Sequence, residues 1–112
     1  MTGVQTCALP ILSDSAFESL ANSLLAALEE GIGAHADAEL QGGILTVDGD
    51  DGTWVINKHA PTRQIWLSSP RSGARHYAFD EASGLWQDTR GAGDLLSTLS
   101  DELGIALEWR PA

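Results

Sequence analysis

Near the start of the chain, apolar residues recur at the spacing of one helix face. Apolar side chains stand at i, i+3, i+4, i+7 and i+11 from Phe17 to Leu28, a period that places them on one side of an α-helix. Ser15 and Glu18, three residues apart, have the form of a capping box, and the glycines after the run are typical of a helix end. We therefore predict a first helix over about residues 15–32.

Short strand-like runs follow the first helix, with turn-forming residues between them every ten to twelve positions or so. Because no helical period separates the runs, they favour an antiparallel meander. The first strand is predicted over Ala38–Val47, with a bulge or bend at Gly42–Gly43. A strong turn is predicted at Asp48–Gly52. The remaining strands are predicted over residues 53–57, 64–68, 75–79 and 85–89.

A second helical stripe lies near the end of the chain. Leucines recur at helical spacing from Leu95 to Leu103, with Asp94 before them and Gly104 after them, as helix capping preferences require. Residues 105–109 fit either a final strand or an extended segment. The order of elements predicts an α+β two-layer sandwich, in which an antiparallel sheet of five to seven strands has both helices packed on one face.

Strand alternation leaves the other face of the sheet in solvent, and that face carries a tryptophan. Ile65 and Leu67 fit the core, so Gln64 and Trp66 are predicted to point outward together with Asn57. Because a rigid aromatic side chain is a natural interface anchor, Trp66 is a candidate binding residue. Single exposed apolar residues are also common without any function, and the alternation alone does not decide between these interpretations.

The length and composition of the chain fit one small folded domain. A chain of 112 residues, 43% of them apolar, can bury a core. Residues 1–12 show neither a period nor the basic segments of a targeting leader, so we assign them to a spurious or disordered extension and place a single domain at residues 13–112. The single Cys7 cannot form an internal disulfide, and no apolar run reaches the ~18 residues that a membrane span needs.

The net charge of −10 is unevenly distributed along the chain. Residues 1–57 carry −9 and contain no Lys or Arg, whereas residues 58–112 carry −1 and contain all six basic residues. Such a field repels phosphate backbones and anionic lipid headgroups. The charge therefore argues against nucleic acid and membrane partners, and favours cations or a basic protein surface.

Several segments of the chain resemble the frataxin family. The similarity runs through Gly52–Lys58, Gln64–Pro70, Ser72–Gly73 and Tyr77, with further matches at Phe17–Ala21 and Gly43–Val47. The resemblance implies the same two-layer fold and a small protein that binds ferrous or ferric iron weakly at its surface. It also implies a role in iron–sulfur cluster assembly, in which the protein binds a cysteine desulfurase and its scaffold protein and acts as an iron donor or iron sensor.

The resemblance further implies where and how such a protein acts. Bacterial members are cytoplasmic and eukaryotic members lie in the mitochondrial matrix. We expect a monomer, with an iron-dependent oligomer as the alternative. A regulator of this kind needs no catalytic residue, and none is assigned. The rival interpretation is a ferroxidase that oxidises ferrous iron at a surface acidic ridge, and a third is a structural module without a metal role.

The outward sheet face is the predicted partner-binding site. Asn57, Gln64 and Trp66 match positions at which the family contacts the scaffold, which favours the functional interpretation of Trp66. His76 is predicted to share this face because its strand runs beside that of Trp66. Lys58 completes the predicted site, and with His76 it gives the face a positive character that complements the acidic half of the chain.

Carboxylates on the first helix, the following link and the first strand are the predicted metal ligands, because hard cations such as iron prefer oxygen ligands. The predicted ligands are Asp14, Glu18, Glu29, Glu30, His35, Asp37 and Glu39. The four that resemble the acidic ridge of the family most are Asp14, Glu18, Glu30 and Asp37. The alternative is a solvated, solubilising face. The ridge is also thinner than in the family, because positions such as Asn22 and Ala26 carry no acid.

The acidic turn at Asp48–Gly52 superficially resembles the beginning of a calcium loop. The twelfth position counted from Asp48 is His59, where an EF-hand needs a bidentate glutamate. A plain turn is therefore the prediction, although its aspartates extend the negative field.

Overall fold

The computed structural model describes residues 13–110, which form two helices and a six-stranded sheet. Neighbouring strands are consecutive in the chain and pair antiparallel throughout, in the order β1 to β6. This confirms the predicted α+β architecture, while the predicted extension at residues 1–12 lies outside the described residues. The elements are α1 Asp14–Gly33, β1 Asp37–Gln41, β2 Ile44–Gly49, β3 Gly52–His59, a 3-10 turn Ala60–Thr62, β4 Gln64–Ser69, β5 Gly73–Asp80, β6 Leu85–Asp88 and α2 Leu95–Leu103.

The N-cap of helix α1 lies two residues before the predicted one. The Ser13 hydroxyl accepts a hydrogen bond from the Ala16 backbone N–H at 3.1 Å and forms the N-cap. With the cap at Ser13, the third helical residue is Ala16 instead of Glu18, so the predicted Ser15 capping box is wrong. The Glu18 carboxylate is thereby free to contact β3.

The glycine pair at positions 42 and 43 forms a hairpin turn, which corrects the predicted bulge. Gly42 and Gly43 have φ values of 60° and 80°, and Gln41 pairs with Ile44 directly across them. Two successive residues with positive φ are what a two-residue hairpin turn requires. The single strand predicted over Ala38–Val47 is therefore two antiparallel strands, β1 and β2.

The core lies between the helices and one face of the sheet. As the helical stripe predicted, α1 buries Phe17, Leu24 and Leu28 almost completely, and α2 buries Leu95 and Leu99. The sheet contributes every second residue of its strands, as alternation requires. These sheet residues are Leu45, Val47, Trp54, Ile56, Ile65, Leu67, Tyr77 and Trp86. The helices cover this face only, so the opposite face of the sheet stays open.

The segment after α2 forms no strand and instead closes the core as an extended chain. Trp109 packs edge-on against Phe79, and the Trp109 indole N–H donates to the Ser23 hydroxyl of α1 at 3.0 Å. Helix α2 carries the predicted caps, Asp94 at its start and Gly104, with a φ of 71°, at its end. Within residues 13–110, no helix is long and apolar enough to cross a bilayer.

Candidate functional sites on the open sheet face and the acidic edge

The open sheet face carries one row of tall side chains across its three central strands. Asn57 of β3 pairs in register with Trp66 of β4, which pairs with His76 of β5. This is the shared face that strand alternation predicted for Asn57, Gln64 and Trp66, and for His76 beside them. Ile44, the exposed large apolar residue of the described chain, extends the row on β2.

Trp66 is held between two histidines. The His59 ring stacks on one face of the indole, with 3.6 Å between centroids and 11° between planes, and His76 stacks on the other face at 4.3 Å and 13°. The indole N–H donates to the Gln64 side-chain oxygen at 2.9 Å. Because both faces and the N–H of Trp66 are engaged, this half-buried side chain can offer only its ring edge to further contacts.

His59 belongs to this site although sequence analysis gave it no role. It is fixed from outside the stack as well, because its Nδ1 lies 2.8 Å from the Thr62 hydroxyl. His59 lies two positions after Asn57 on the same strand, so both side chains face the same side of the sheet. This spacing could have predicted that His59 lies on the open face. That the ring reaches Trp66 depends on the β3–β4 register, which the sequence pattern does not specify.

Lys58 does not lie on the open face, which corrects the position assigned to it. Its ammonium group lies on the helix side of the sheet, 2.6 Å from Glu18 Oε1 and 3.0 Å from Asn22 Oδ1. The reason is strand parity, since Lys58 alternates with Asn57. The charge of Lys58 is therefore paired with α1 and contributes little to the open sheet face.

Three of the predicted metal ligands already have partners within the protein. Asp14 pairs with Arg63 at 2.7 Å and Glu18 pairs with Lys58. Glu29 accepts a hydrogen bond from the Leu40 backbone N–H of β1 at 3.1 Å. A metal ion would have to compete with these contacts.

The other four predicted ligands form what we call the acidic edge, which runs from the end of α1 to β1. Its members are Glu30, His35, Asp37 and Glu39, and all four side chains belong to exposed residues. They are spread along the surface: within residues 13–110 no three His, Cys, Asp or Glu side chains form a group that could hold a metal ion. The arrangement suits weak binding of largely hydrated cations better than tight coordination in a closed metal site.

The acidic edge opens into a cleft of about 670 Å³ that gathers further carboxylates. His35 and Asp37 lie on one side, and the end of β2 with the following turn supplies Asp48, Asp50 and Asp51 on the other. Asp37 and Asp48 are neighbours in the β1–β2 register. A turn does lie within the predicted Asp48–Gly52 segment, but it is confined to Asp50–Asp51, because Asp48 and Gly49 pair with Thr53 and Gly52 as the ends of β2 and β3.

Glu102 of α2 completes the wall of this acidic cleft, and sequence analysis missed it. Its carboxylate accepts hydrogen bonds from the Trp54 indole N–H at 2.9 Å and the Ser69 hydroxyl at 2.5 Å. Burial raises the pKa of Glu102, but these two bonds, with Ser72 and the Arg71 charge, outweigh burial and leave the pKa below its ordinary value. Glu102 is thus a carboxylate at neutral pH. No sequence pattern marks it, because its role depends on how α2 packs on the sheet.

With this geometry in place, comparison with known proteins identifies the class. A family model described as a frataxin-like domain matches residues 10–108 of the chain. The chain belongs to this family.

Relatives and solved structures agree with the assignment. The chain is 36% identical over 110 residues to the iron–sulfur cluster assembly protein CyaY of Delftia acidovorans, covering 88% of this chain and 97% of that protein. It is 43% identical over 95 residues to the mitochondrial frataxin homolog of Schizosaccharomyces pombe, covering 84% of this chain but only 55% of that longer protein.

Two solved structures have the same fold. A frataxin from Psychromonas ingrahamii superposes with a TM-score of 0.73 at 28% identity, over 87% of this chain and 97% of its own. Trimeric frataxin from Saccharomyces cerevisiae in a ferrous complex superposes with a TM-score of 0.65 at 34% identity, over 86% of this chain and 89% of its own.

Proposed function

We propose that this protein is an iron-binding regulator of iron–sulfur cluster assembly. Its open sheet face would dock on the complex of a cysteine desulfurase and its scaffold protein, while the acidic edge and cleft would hold iron as donor or sensor. The observation that carries the proposal is the stack of His59, Trp66 and His76. A tryptophan held rigidly on a solvated face loses little conformational freedom when a partner covers it, which makes it a strong anchor.

The acidic edge supports the iron part of the proposal through its charge. Exposed carboxylates and one imidazole can each offer a ligand to a cation that keeps most of its water. An ion bound in this way leaves easily, and easy release is what a donor or sensor requires. The ferrous complex of the yeast relative gives this a precedent in the family.

Trp66→Ala tests the docking part directly. Hot-spot truncations of this kind weaken binding by roughly 2 kcal/mol or more, about thirtyfold in Kd, and we expect such a loss for binding to the desulfurase–scaffold complex by calorimetry. Trp66→Phe keeps an aromatic ring and should retain more affinity. Both variants should unfold close to the wild-type midpoint because Trp66 lies outside the core. Unchanged affinity of Trp66→Ala would contradict the proposal.

A matched pair of triple variants tests the iron part. Neutralising Glu30, Asp37 and Glu39 as amides should lower ferrous iron binding in anaerobic calorimetry. The control neutralises three exposed acids elsewhere, Glu81→Gln, Asp101→Asn and Glu108→Gln, and changes the net charge by the same amount. Equal iron binding by the two triple variants would show that only the overall charge matters.

The ferroxidase alternative needs several ligands that converge on one ion, and no observation on residues 13–110 favours it. Oxygen consumption with ferrous iron, measured with and without protein, separates the two functions.

We further propose that the protein acts as a monomer that iron can drive into oligomers. Its location would be the bacterial cytoplasm or the mitochondrial matrix, according to its host.

A further inference from the structure

We propose that a groove beside Trp66 receives an acidic segment of the partner protein, with an aliphatic side chain in a hollow next to the tryptophan and a carboxylate at Arg90. This inference rests on the proposed function, because it specifies which chemistry the partner brings to the open sheet face.

The hollow is built by strand register. Val55, Ser68 and Ala74 form a row of small side chains across β3, β4 and β5, directly beside the taller row that contains Trp66 and His76. The difference in height leaves a depression of about 210 Å³. Since the histidines cover both faces of the indole, a partner side chain in this hollow packs against the ring edge, which favours an aliphatic group over a stacking ring or cation.

A basic cleft of about 490 Å³ continues from the hollow. The two depressions share Ala74 and His76, so one extended segment can occupy both. The cleft is lined by Arg75 and Arg90 and contains a single carboxylate, that of Asp88. It is therefore a positive site on a protein whose net charge is −10.

The carboxylate of this cleft is already fully used. Asp88 is 8% exposed, accepts from the Arg75 guanidinium at 3.2 Å and from the Arg90 backbone N–H at 2.8 Å. The charge of Asp88 thus offsets that of Arg75, and the charge of the Arg90 guanidinium is not offset within the cleft. Among residues 13–110 the ion pairs occupy Lys58, Arg63, Arg71 and Arg75, and Arg90 takes part in none.

Charge complementarity then selects the occupant. A guanidinium at the mouth of a cleft binds carboxylates through two parallel N–H donors. The acidic surface elsewhere on the protein repels an acidic segment, so this cleft is where such a segment gains affinity and orientation.

Two charge reversals provide the test. Arg90→Glu removes the proposed contact, whereas Arg110→Glu changes the net charge equally at an exposed site that lies on neither depression. For binding to the desulfurase–scaffold complex at moderate salt, we expect Arg90→Glu to raise Kd about tenfold or more and Arg110→Glu to raise it about twofold or less. Equal effects of the two reversals would overturn the inference.

A second pair of variants tests the hollow without changing any charge. Ala74→Leu fills the depression, and Ala82→Leu adds the same bulk to the exposed turn between β5 and β6. Only Ala74→Leu should weaken binding. If Trp66→Ala abolishes binding while the Arg90 and Ala74 variants bind like their controls, this inference fails and the proposed function stands. If wild-type protein does not bind the complex, both fail. Sedimentation showing that the groove joins two copies of this chain would also overturn it.

Discussion

The open sheet face and the acidic edge are organised in opposite ways. On the open face, register and stacking hold Trp66 in one orientation between two rings. Along the acidic edge, Glu30, Asp37 and Glu39 are exposed, and their positions follow the surface without converging. A protein surface needs a fixed shape to recognise a partner, whereas a hydrated cation that binds loosely needs only charge density. Substitutions should therefore impair the two regions separately.

Glu102 in the acidic cleft is the exception, because hydrogen bonds hold its carboxylate in place. Removing those bonds should give the largest effect on stability. Glu102→Ala leaves the Trp54 and Ser69 donors without their acceptor, which should cost about 2 kcal/mol of unfolding free energy. Glu102→Gln keeps an acceptor oxygen and should cost less. Urea denaturation measures both. A loss for Glu102→Ala no greater than that for exposed Asp101→Ala would show that Glu102 is merely part of the charged surface.

The stack itself provides the next prediction. His59→Ala together with His76→Ala leaves Trp66 unsupported, and loss of two aromatic contacts should weaken docking on the desulfurase–scaffold complex by roughly 1 kcal/mol, about fivefold in Kd.

His35→Ala is the matched control, because His35 lies on the acidic edge. It should leave docking unchanged and reduce ferrous iron binding, while the double variant should do the reverse. Both variants affecting both activities would erase the distinction between the two regions.

Two adjacent glutamates of α1 should have opposite effects on stability. Glu30 lies exposed in the last turn of the helix, where a negative charge opposes the helix dipole, so Glu30→Ala should raise the unfolding free energy by about 0.5 kcal/mol. Glu29→Ala removes the acceptor of the Leu40 N–H and should lower it by about 1 kcal/mol. Thermal and urea unfolding of the two variants would check the signs, and equal signs would contradict the role assigned to Glu29.

The smallest expected effect is a pH dependence from Glu102. Its pKa is lowered in the folded protein from an ordinary value of 4.5, so the carboxylate form contributes stability that is complete above that value. This contribution is lost as the pH falls below 4.5 and through the folded pKa. Urea unfolding between neutral pH and pH ~3 should therefore show a shallower acid dependence for Glu102→Gln than for wild type. Parallel curves would assign the acid sensitivity to other carboxylates.

The spacing of apolar residues predicted most of the fold, because it follows which positions of each helix and strand are buried. The stripe from Phe17 to Leu28 and the alternation through Ile65, Trp66 and Leu67 each assign side chains to the core or to solvent from spacing alone. The error at Gly42–Gly43 has a physical cause. Leu40 and Leu45 both face the core, and this change of parity is produced equally by a bulge and by a two-residue hairpin. Only the pairing partner distinguishes the two.

The sites were less predictable because they combine residues distant in sequence. The contact between His59 and Trp66 depends on register, and that between Glu102 and Trp54 on helix packing. Net charge located the acidic half correctly but could not tell paired carboxylates such as Glu18 from exposed ones such as Glu30. Which carboxylates form ion pairs is decided by the folded structure, and composition does not indicate it.

The hydrogen bond between Glu29 and the Leu40 N–H also bears on how the sheet ends. Strand β1 is one of its two outer strands, and an outer strand with unpaired backbone groups is a template on which another chain can add. The Glu29 carboxylate occupies one of those groups and brings a negative charge to the boundary. A metal ion that drew this carboxylate away from the Leu40 N–H would leave an unpaired backbone donor at the outer strand. Such binding at Glu29 would favour addition of another chain to β1, whereas binding at Glu30, one residue further along, would not.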